Sequence, residues 1–218
     1  MDVSALRREY LRDGLSRADL DRNPMAQFSQ WFAIARQTPM PDPTAMLLAT
    51  VDGSGQPSLR TVLLKYYDDD GFIFFTNYDS NKAKDIAKNP KVCLSFPWLE
   101  LERQVHVCGW AEKITAIESA KYFLSRPKDS QLAAWVSSQS HPVSSRALLM
   151  QKFREIKEKI GNGEVPVPTF WGGFRVRPET MEFWQGRENR LHDRFLYRRQ
   201  GKHQGEQGER WRIERLAP

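Results

Sequence analysis

Two repeat lengths take turns along this chain, and their order predicts its architecture. In 25–36, Phe28, Trp31, Phe32 and Ala35 recur at helical spacing behind Asn23 and Pro24, a cap followed by a first-turn proline. Pro39, Pro41 and Pro43 stop that helix and prevent an early restart. Strand-like segments then follow. A β-rich run at 44–51 and a return strand at 57–67 flank the turn Asp52-Gly53-Ser54-Gly55. Further strands are predicted at 72–76, 91–97 and 103–113, with Gly109 interrupting the last. Between them, Ser80 is placed to cap a helix over 82–88, which Asn89-Pro90 ends. Helices are next predicted at 117–124, 129–136 and 146–160, the last with Leu149, Phe153, Ile156 and Ile160 on one face. An extended connection at 164–170 leads to strands at 172–177, 181–184, 195–199 and 211–216, with a polar hairpin tip at 202–208. The N-terminal stretch 2–12 reads as a short helix ending before Gly14. Short strands joined by tight turns argue for an antiparallel, Greek-key-like barrel, because a βαβ sheet needs a helix in nearly every crossover. The predicted class is mainly β with flanking helices (α+β), in one undivided domain over 1–218.

Composition narrows the choice of partners. The 33 basic and 27 acidic side chains leave a net charge of +6, spread as single residues rather than as a block or helical stripe. That dispersal suits pockets for small phosphorylated molecules better than a groove for nucleic acid. No run approaches the roughly 20 apolar residues of a membrane span. The N-terminus is charged from its second residue, so a cytoplasmic, unsecreted chain is expected. Cys93 and Cys108 sit in apolar stretches without metal-ligand spacing and read as buried free thiols.

The densest chemistry lies in 182–195, EFWQGRENRLHDRF, where Trp184, Arg187, Arg190, His192, Asp193 and Arg194 crowd together. Arginine forks suit phosphate, and histidine can move a proton near neutral pH. Arg60 and Lys65 bracket an apolar run; five positions apart, they point to opposite faces of a regular strand. They either serve two ligands or are two ends of a core strand reaching solvent. Ser80-Asn81-Lys82 at a helix start is a candidate anion site. Gln104 offers an amide to a ring or to water. Tyr122, Arg126 and Ser130, spaced four and four across Pro127, form a candidate phosphate clamp, and Gln139-Ser140 lies in a polar loop. No phosphate-binding loop, G-x-G-x-x-G, metal-ligand spacing or serine elbow is present. Several separate anion grips with aromatic surfaces point to a phosphorylated aromatic cofactor and a phosphorylated substrate.

The segments RREY (7–10), RTVLLK (60–65), SNKA (80–83), LERQV (101–105), SRPKDSQLAAWVSSQS (125–140), FWGGFRV (170–176) and EFWQGRENRLHDRF together resemble the pyridoxine/pyridoxamine 5'-phosphate oxidase family. The resemblance implies an FMN-binding split β-barrel working as a homodimer, with FMN in clefts at the interface. It implies oxidation of pyridoxine or pyridoxamine 5'-phosphate to pyridoxal 5'-phosphate while O2 becomes H2O2. By motif, Arg60, Thr61, Val62, Leu63, Leu64, Lys65, Phe75, Thr76, Lys82 and Gln104 are expected to line FMN. Gln139, Ser140, Trp184 and Arg194 complete that site, some across the interface. Lys65, Tyr122, Arg126 and Ser130 are expected at the substrate phosphate, and Arg190, Leu191 and His192 at its pyridine, with Arg190 and His192 catalytic. Arg7, Arg8, Glu9 and Tyr10, within an N-terminal segment 1–20, are expected to fold over it as a lid. Asn81, where the family often has arginine, and Phe75, where tyrosine is familiar, are departures that bear on the FMN grip. A non-catalytic flavin- or pyridoxal-phosphate-binding barrel is the alternative. Neither nucleic acid nor membrane is an expected partner.

Overall fold

The computed structural model describes residues 1–3, 5, 9–137, 139–161, 163–201 and 210–218. Among the described residues nine strands form one curled antiparallel sheet, a split barrel flanked by helices. In chain order they are β1 (Ala45–Val51), β2 (Pro57–Leu63), β3 (Tyr66–Asp68), β4 (Gly71–Asn77), β5 (Lys91–Trp98), β6 (Arg103–Lys113), β7 (Trp171–Gln185), β8 (Asp193–Gln200) and β9 (Arg210–Leu216).

The return strand predicted at 57–67 is broken in two, and the break closes the barrel. β2 pairs with β1 and β3 with β4. At the handover the Leu64 N–H donates to Thr44 O (2.9 Å), and the next amide, Lys65, donates to Ile73 O (2.9 Å). One stretch of chain thus leaves the first neighbour for the other end of the sheet order β2-β1-β5-β6-β7-β4-β3. Leu64 is buried at the joint, 4% exposed.

A second difference lies in β7. Two strands were predicted at 172–177 and 181–184, but the chain runs as one 15-residue strand. β6 pairs along it, while the other edge is shared: β4 takes 171–176 and β8 takes 180–185. The sequence period breaks because Gly109 opposes Pro178 and Cys108 opposes Thr180, leaving Glu179 as an extra residue. Before the bulge the buried side chains are even-numbered, Phe174 and Val176; after it they are odd, Met181 and Phe183. Gly109 permits the bulge, since a Cβ there would lie 1.9 Å from Arg177 O.

Helix α1 (Pro24–Gln37) starts as predicted, with Asn23 Oδ1 accepting the Met25 N–H (2.8 Å). It packs its apolar face on the inward side of the sheet. Fully buried Phe28 meets Phe72 at 4.8 Å and Phe96 at 5.0 Å between ring centres, and Trp31 meets Phe183 at 5.2 Å. At α2 (Asn81–Lys88) Ser80 holds the cap position, but its hydroxyl donates to Asn77 O (2.7 Å) instead of capping. A satellite core gathers α3 (Ala116–Ser125), α4 (Lys128–Val136), α5 (Arg146–Ile160) and the 164–170 connection around Phe123, Leu132, Val165 and Trp171. Trp135 Nε1 donates to Pro166 O (2.8 Å) and ties the connection down.

Three further expectations are corrected or fall outside. The described residues of 2–12 contain no helix; the helical turn comes later, at Arg17–Asp19. The cysteines are opposite neighbours on β5 and β6, but on the outward face, so Cys93 is half-buried and Cys108 exposed. A hydrogen bond from Cys93 holds the Cys108 thiol down to about 6 and pushes Cys93 well up. The hairpin tip at 202–208 lies outside the described residues.

Candidate functional site

The break between β2 and β3 resets side-chain parity, and Arg60 and Lys65 therefore line one cavity instead of opposite faces. This cavity, about 510 Å3, is walled by Arg60, Thr61, Val62, Leu63, Lys65, Phe75, Thr76, Lys82, Tyr122, Arg126, Gln139, Ser140 and Trp171. Four of these are cations and none is a carboxylate. Such a wall favours an anion, because partial burial weakens the screening of like charges.

Its two ends differ. At one, Arg60 Nη1 donates to Thr50 Oγ1 (2.6 Å) and Leu48 O (3.1 Å), and Thr50 in turn donates to Asp85 Oδ2 (2.7 Å). Lys82 Nζ donates to Thr76 Oγ1 (3.2 Å) and Gln139 Oε1 (3.1 Å). Burial, and then the charge of Arg60, pull the Lys82 ammonium below its ordinary value. Ser140, in the left-handed region (φ 68°), accepts the exposed Asn81 N–H through its hydroxyl (3.2 Å). The second end is aromatic. Phe75, Tyr122 and Trp171 cluster as near-parallel rings, with Phe75 4.0 Å from Tyr122 (29°) and 5.2 Å from Trp171 (13°), and Tyr122 6.1 Å from Trp171. Arg126 sits 4.8 Å above Trp171, and its buried Nη1 has no hydrogen-bond partner among the described residues. Burial pushes the Arg126 guanidinium down, with Tyr122 opposing. A buried guanidinium N–H of that kind is costly unless a ligand satisfies it.

Gln104 and Trp184 lie elsewhere. With Tyr10, Pro97, Leu99, Glu102 and Arg103 they line a cavity of about 550 Å3 that shares no lining residue with the first. Beside it, Trp184 meets His192 at 4.7 Å, and the Tyr10 ring stands edge-on to both, at 5.6 and 5.4 Å. The His192 Nδ1 accepts the Arg187 N–H (3.1 Å), so a neutral ring carries its proton on Nε2. Arg194 is held by Glu182, Nε to Oε1 (2.7 Å) and Nη2 to Oε2 (3.1 Å). Arg190 and Leu191 are exposed at the turn, with Asn189 and Arg190 both left-handed.

The structure gathers most of the expected residues into these two places. Leu64 instead points to a smaller cavity with Phe32, Arg36 and Tyr67, and Ser130, half-buried on α4, is outside the cationic cavity's wall. Glu9 is exposed; Arg7 and Arg8 lie outside the described residues. Arg187 and Asp193, read as site chemistry, secure the N-terminal segment: Asp193 Oδ2 accepts the Leu15 N–H (2.9 Å), and Arg187 Nη1 donates to Arg12 O (3.2 Å). Sequence reasoning missed Trp171, Thr50, Asp85 and Glu102. Trp171 carried a signal, standing in the FWGGFRV segment, whereas Thr50 and Asp85 meet only through the fold.

Comparison with known proteins shows the family. Residues 12–160 match the family described as Pyridoxamine 5'-phosphate oxidase, and 171–218 match the Pyridoxine 5'-phosphate oxidase C-terminal dimerisation region. A Pyridoxine/pyridoxamine 5'-phosphate oxidase of Aeromonas hydrophila subsp. hydrophila is 58% identical over 218 residues, covering all of both chains. Relatives of the same name from Vibrio cholerae serotype O1 and Rippkaea orientalis are each 56% identical, again over the whole of both chains. Among solved structures, PhzG from Burkholderia lata 383, in complex with tetrahydrophenazine-1-carboxylic acid, aligns with a TM-score of 0.86. It is 27% identical, with 94% of this chain and 98% of that one covered. A pyridoxamine 5'-phosphate oxidase-related, FMN binding protein from Nostoc punctiforme shares the fold, with a TM-score of 0.69 at 18% identity over 88% of this chain and 96% of that one. This chain belongs to the pyridoxine/pyridoxamine 5'-phosphate oxidase family.

Proposed function

We propose that this chain, as a homodimer, uses FMN to oxidise pyridoxine or pyridoxamine 5'-phosphate to pyridoxal 5'-phosphate, with O2 reduced to H2O2. The observation that carries the reading is the cationic cavity, with its four cations, its lack of carboxylates and the unsatisfied Arg126 N–H. FMN fits this donor set. Arg60 and Lys82, with Gln139 and Ser140, would hold its phosphate, and the Thr61–Leu63 stretch with Phe75 and Thr76 would line it. When bound, FMN supplies the hydride-accepting ring. Lys65, Tyr122 and Arg126, with Ser130 nearby, hold the substrate phosphate at the aromatic end.

Gln104, Trp184 and Arg194 belong to this flavin site only if a second copy brings its own tryptophan-lined cavity against the cationic one. That requirement, with the match of 171–218 to a dimerisation region, supports the homodimer. Arg190 and Leu191 then come from the second copy to the pyridine of the substrate. His192 joins them, and with its Nδ1 already engaged it serves as an Nε2 donor that orients the substrate rather than as the proton acceptor. Tyr10 closes the substrate side, and 1–218 works as one functional unit. Helices of this chain long and apolar enough to cross a membrane are absent among the described residues.

An absorption spectrum of the purified protein tests the reading. Flavin bands are expected, and pyridoxine 5'-phosphate added without oxygen should bleach them. A colourless protein that takes up no FMN overturns the cofactor assignment, and a yellow one that does not bleach leaves only a binding barrel.

A further inference from the structure

The side chain that seats Tyr10 is not in the stretch that contains it. Glu102 follows the helical turn Leu99–Leu101 in the left-handed region (φ 54°) and is 6% exposed, an unusual place for a carboxylate. Its Oε2 accepts the backbone N–H groups of both Leu11 (3.0 Å) and Arg12 (3.1 Å). Two amides next to Tyr10 are therefore fixed by one charged acceptor from the wall of the tryptophan-lined cavity. The other support is Gly186, whose N–H donates to Glu102 O (2.8 Å). An added Cβ there would lie 2.5 Å from Tyr10 Cδ1, and Gly186 has no positive φ to explain its lack of a side chain. Glycine is present because the Tyr10 ring occupies the space. Against these two supports Tyr10 stands edge-on to Trp184 and His192.

We propose that Glu102 is a positioning residue: its carboxylate latches Leu11 and Arg12, and so holds Tyr10 as the wall that orders His192 for substrate. The assignment rests on the proposed oxidase reading for its catalytic consequence, but the latch itself does not. Charged acceptors bond N–H groups more strongly than neutral ones, so glutamine keeps the shape and weakens the grip.

The test uses the full-length, FMN-loaded protein and three variants, Glu102→Gln, Glu102→Ala and Gly186→Ala. Amide hydrogen exchange at Leu11 and Arg12, read without substrate, reports the latch independently of any activity. Exchange is expected to rise at least about tenfold in Glu102→Ala and less in Glu102→Gln. The KM for pyridoxine 5'-phosphate is expected to rise in the same order, by about tenfold in the alanine variant, with kcat falling less than about twofold. Gly186→Ala leaves the carboxylate in place and displaces the ring, so it should raise KM without exposing those two amides. It also keeps the proposal testable if Glu102→Ala fails to fold. Parental exchange rates in both Glu102 variants overturn the latch. Faster exchange with a parental KM, or a parental KM in Gly186→Ala, overturns the positioning role. Absence of oxidase activity in the parent removes the proposed function while leaving the exchange result to stand or fall alone.

Discussion

Arg126 shows how one side chain can be unfinished without a ligand. It is fixed by stacking on Trp171, and a buried N–H is left over beside the aromatic end of the cationic cavity. Arg126→Ala should raise the KM for pyridoxine 5'-phosphate by about 10- to 150-fold, the equivalent of ~1.5–3 kcal/mol for one charge-assisted bond. Bound FMN should change little, and steady-state kinetics beside a flavin titration checks both parts. Lys82 makes a prediction in pH. Its folded value is lowered by burial and by Arg60, so at alkaline pH the empty folded chain sheds a proton that the unfolded chain keeps. Stability gains from this group as pH rises through that window, up to the ordinary lysine value of about 10.4. A phosphate beside Lys82 restores the charged form, so binding takes up a proton there. FMN affinity should fall as pH rises through the alkaline range below the ordinary lysine value, and Lys82→Met should flatten that slope. Equal slopes in parent and variant would show that another group sets the dependence.

Among the elements, α1 tests how far local pattern governs the fold. Its cap, its proline and its apolar stripe were legible because all three are local, and the helix forms one residue longer at each end than predicted. Phe28 is fully buried and in ring contact with four barrel or helix aromatics within 5.6 Å. Phe28→Ala should cost about 3–5 kcal/mol, measured by denaturant unfolding; a loss below about 1 kcal/mol would mean the site collapses without a cavity. Other elements were legible in kind but not in continuity. The break at Leu64 and Lys65 is caused by hydrogen bonds to Thr44 and Ile73, which no window of sequence contains. The N-terminal stretch has helical composition, yet Glu102 and Asp193 take its amides and hold it against the sheet. The site divides the same way. Its cations and aromatics were visible as odd residues in strands and turns, while Thr50, Asp85 and Glu102 became functional candidates only once distant segments met.

For the whole molecule, the decisive fact is that residues expected at one flavin line two separate cavities. The FMN-loaded protein should therefore sediment at twice the single-chain mass at micromolar concentration, and a flavin-loaded single chain would refute the shared site. Both cavities are also strung on β7, with Trp171 at its first residue serving one and Trp184 near its last serving the other. Glu179 is the one residue that the bulge absorbs, so the residue count around it, not its chemistry, decides which way the second half of the strand looks. Glu179→Ala keeps the count and removes an exposed bond to Lys91, so its thermal unfolding should stay within about 1 kcal/mol of the parent. Deleting Glu179 would only remove the bulge and leave Phe183 inward. Inserting one residue after it shifts the frame by one step, turning Phe183 to solvent and Trp184 into the core, and should unfold the β7–β8 half outright. If the insertion melts like the alanine variant, the bulge absorbs a second residue and the strand keeps its phase by other means. If it does not, a single residue count far from either cavity is what keeps the two ends of this strand addressed to different ligands.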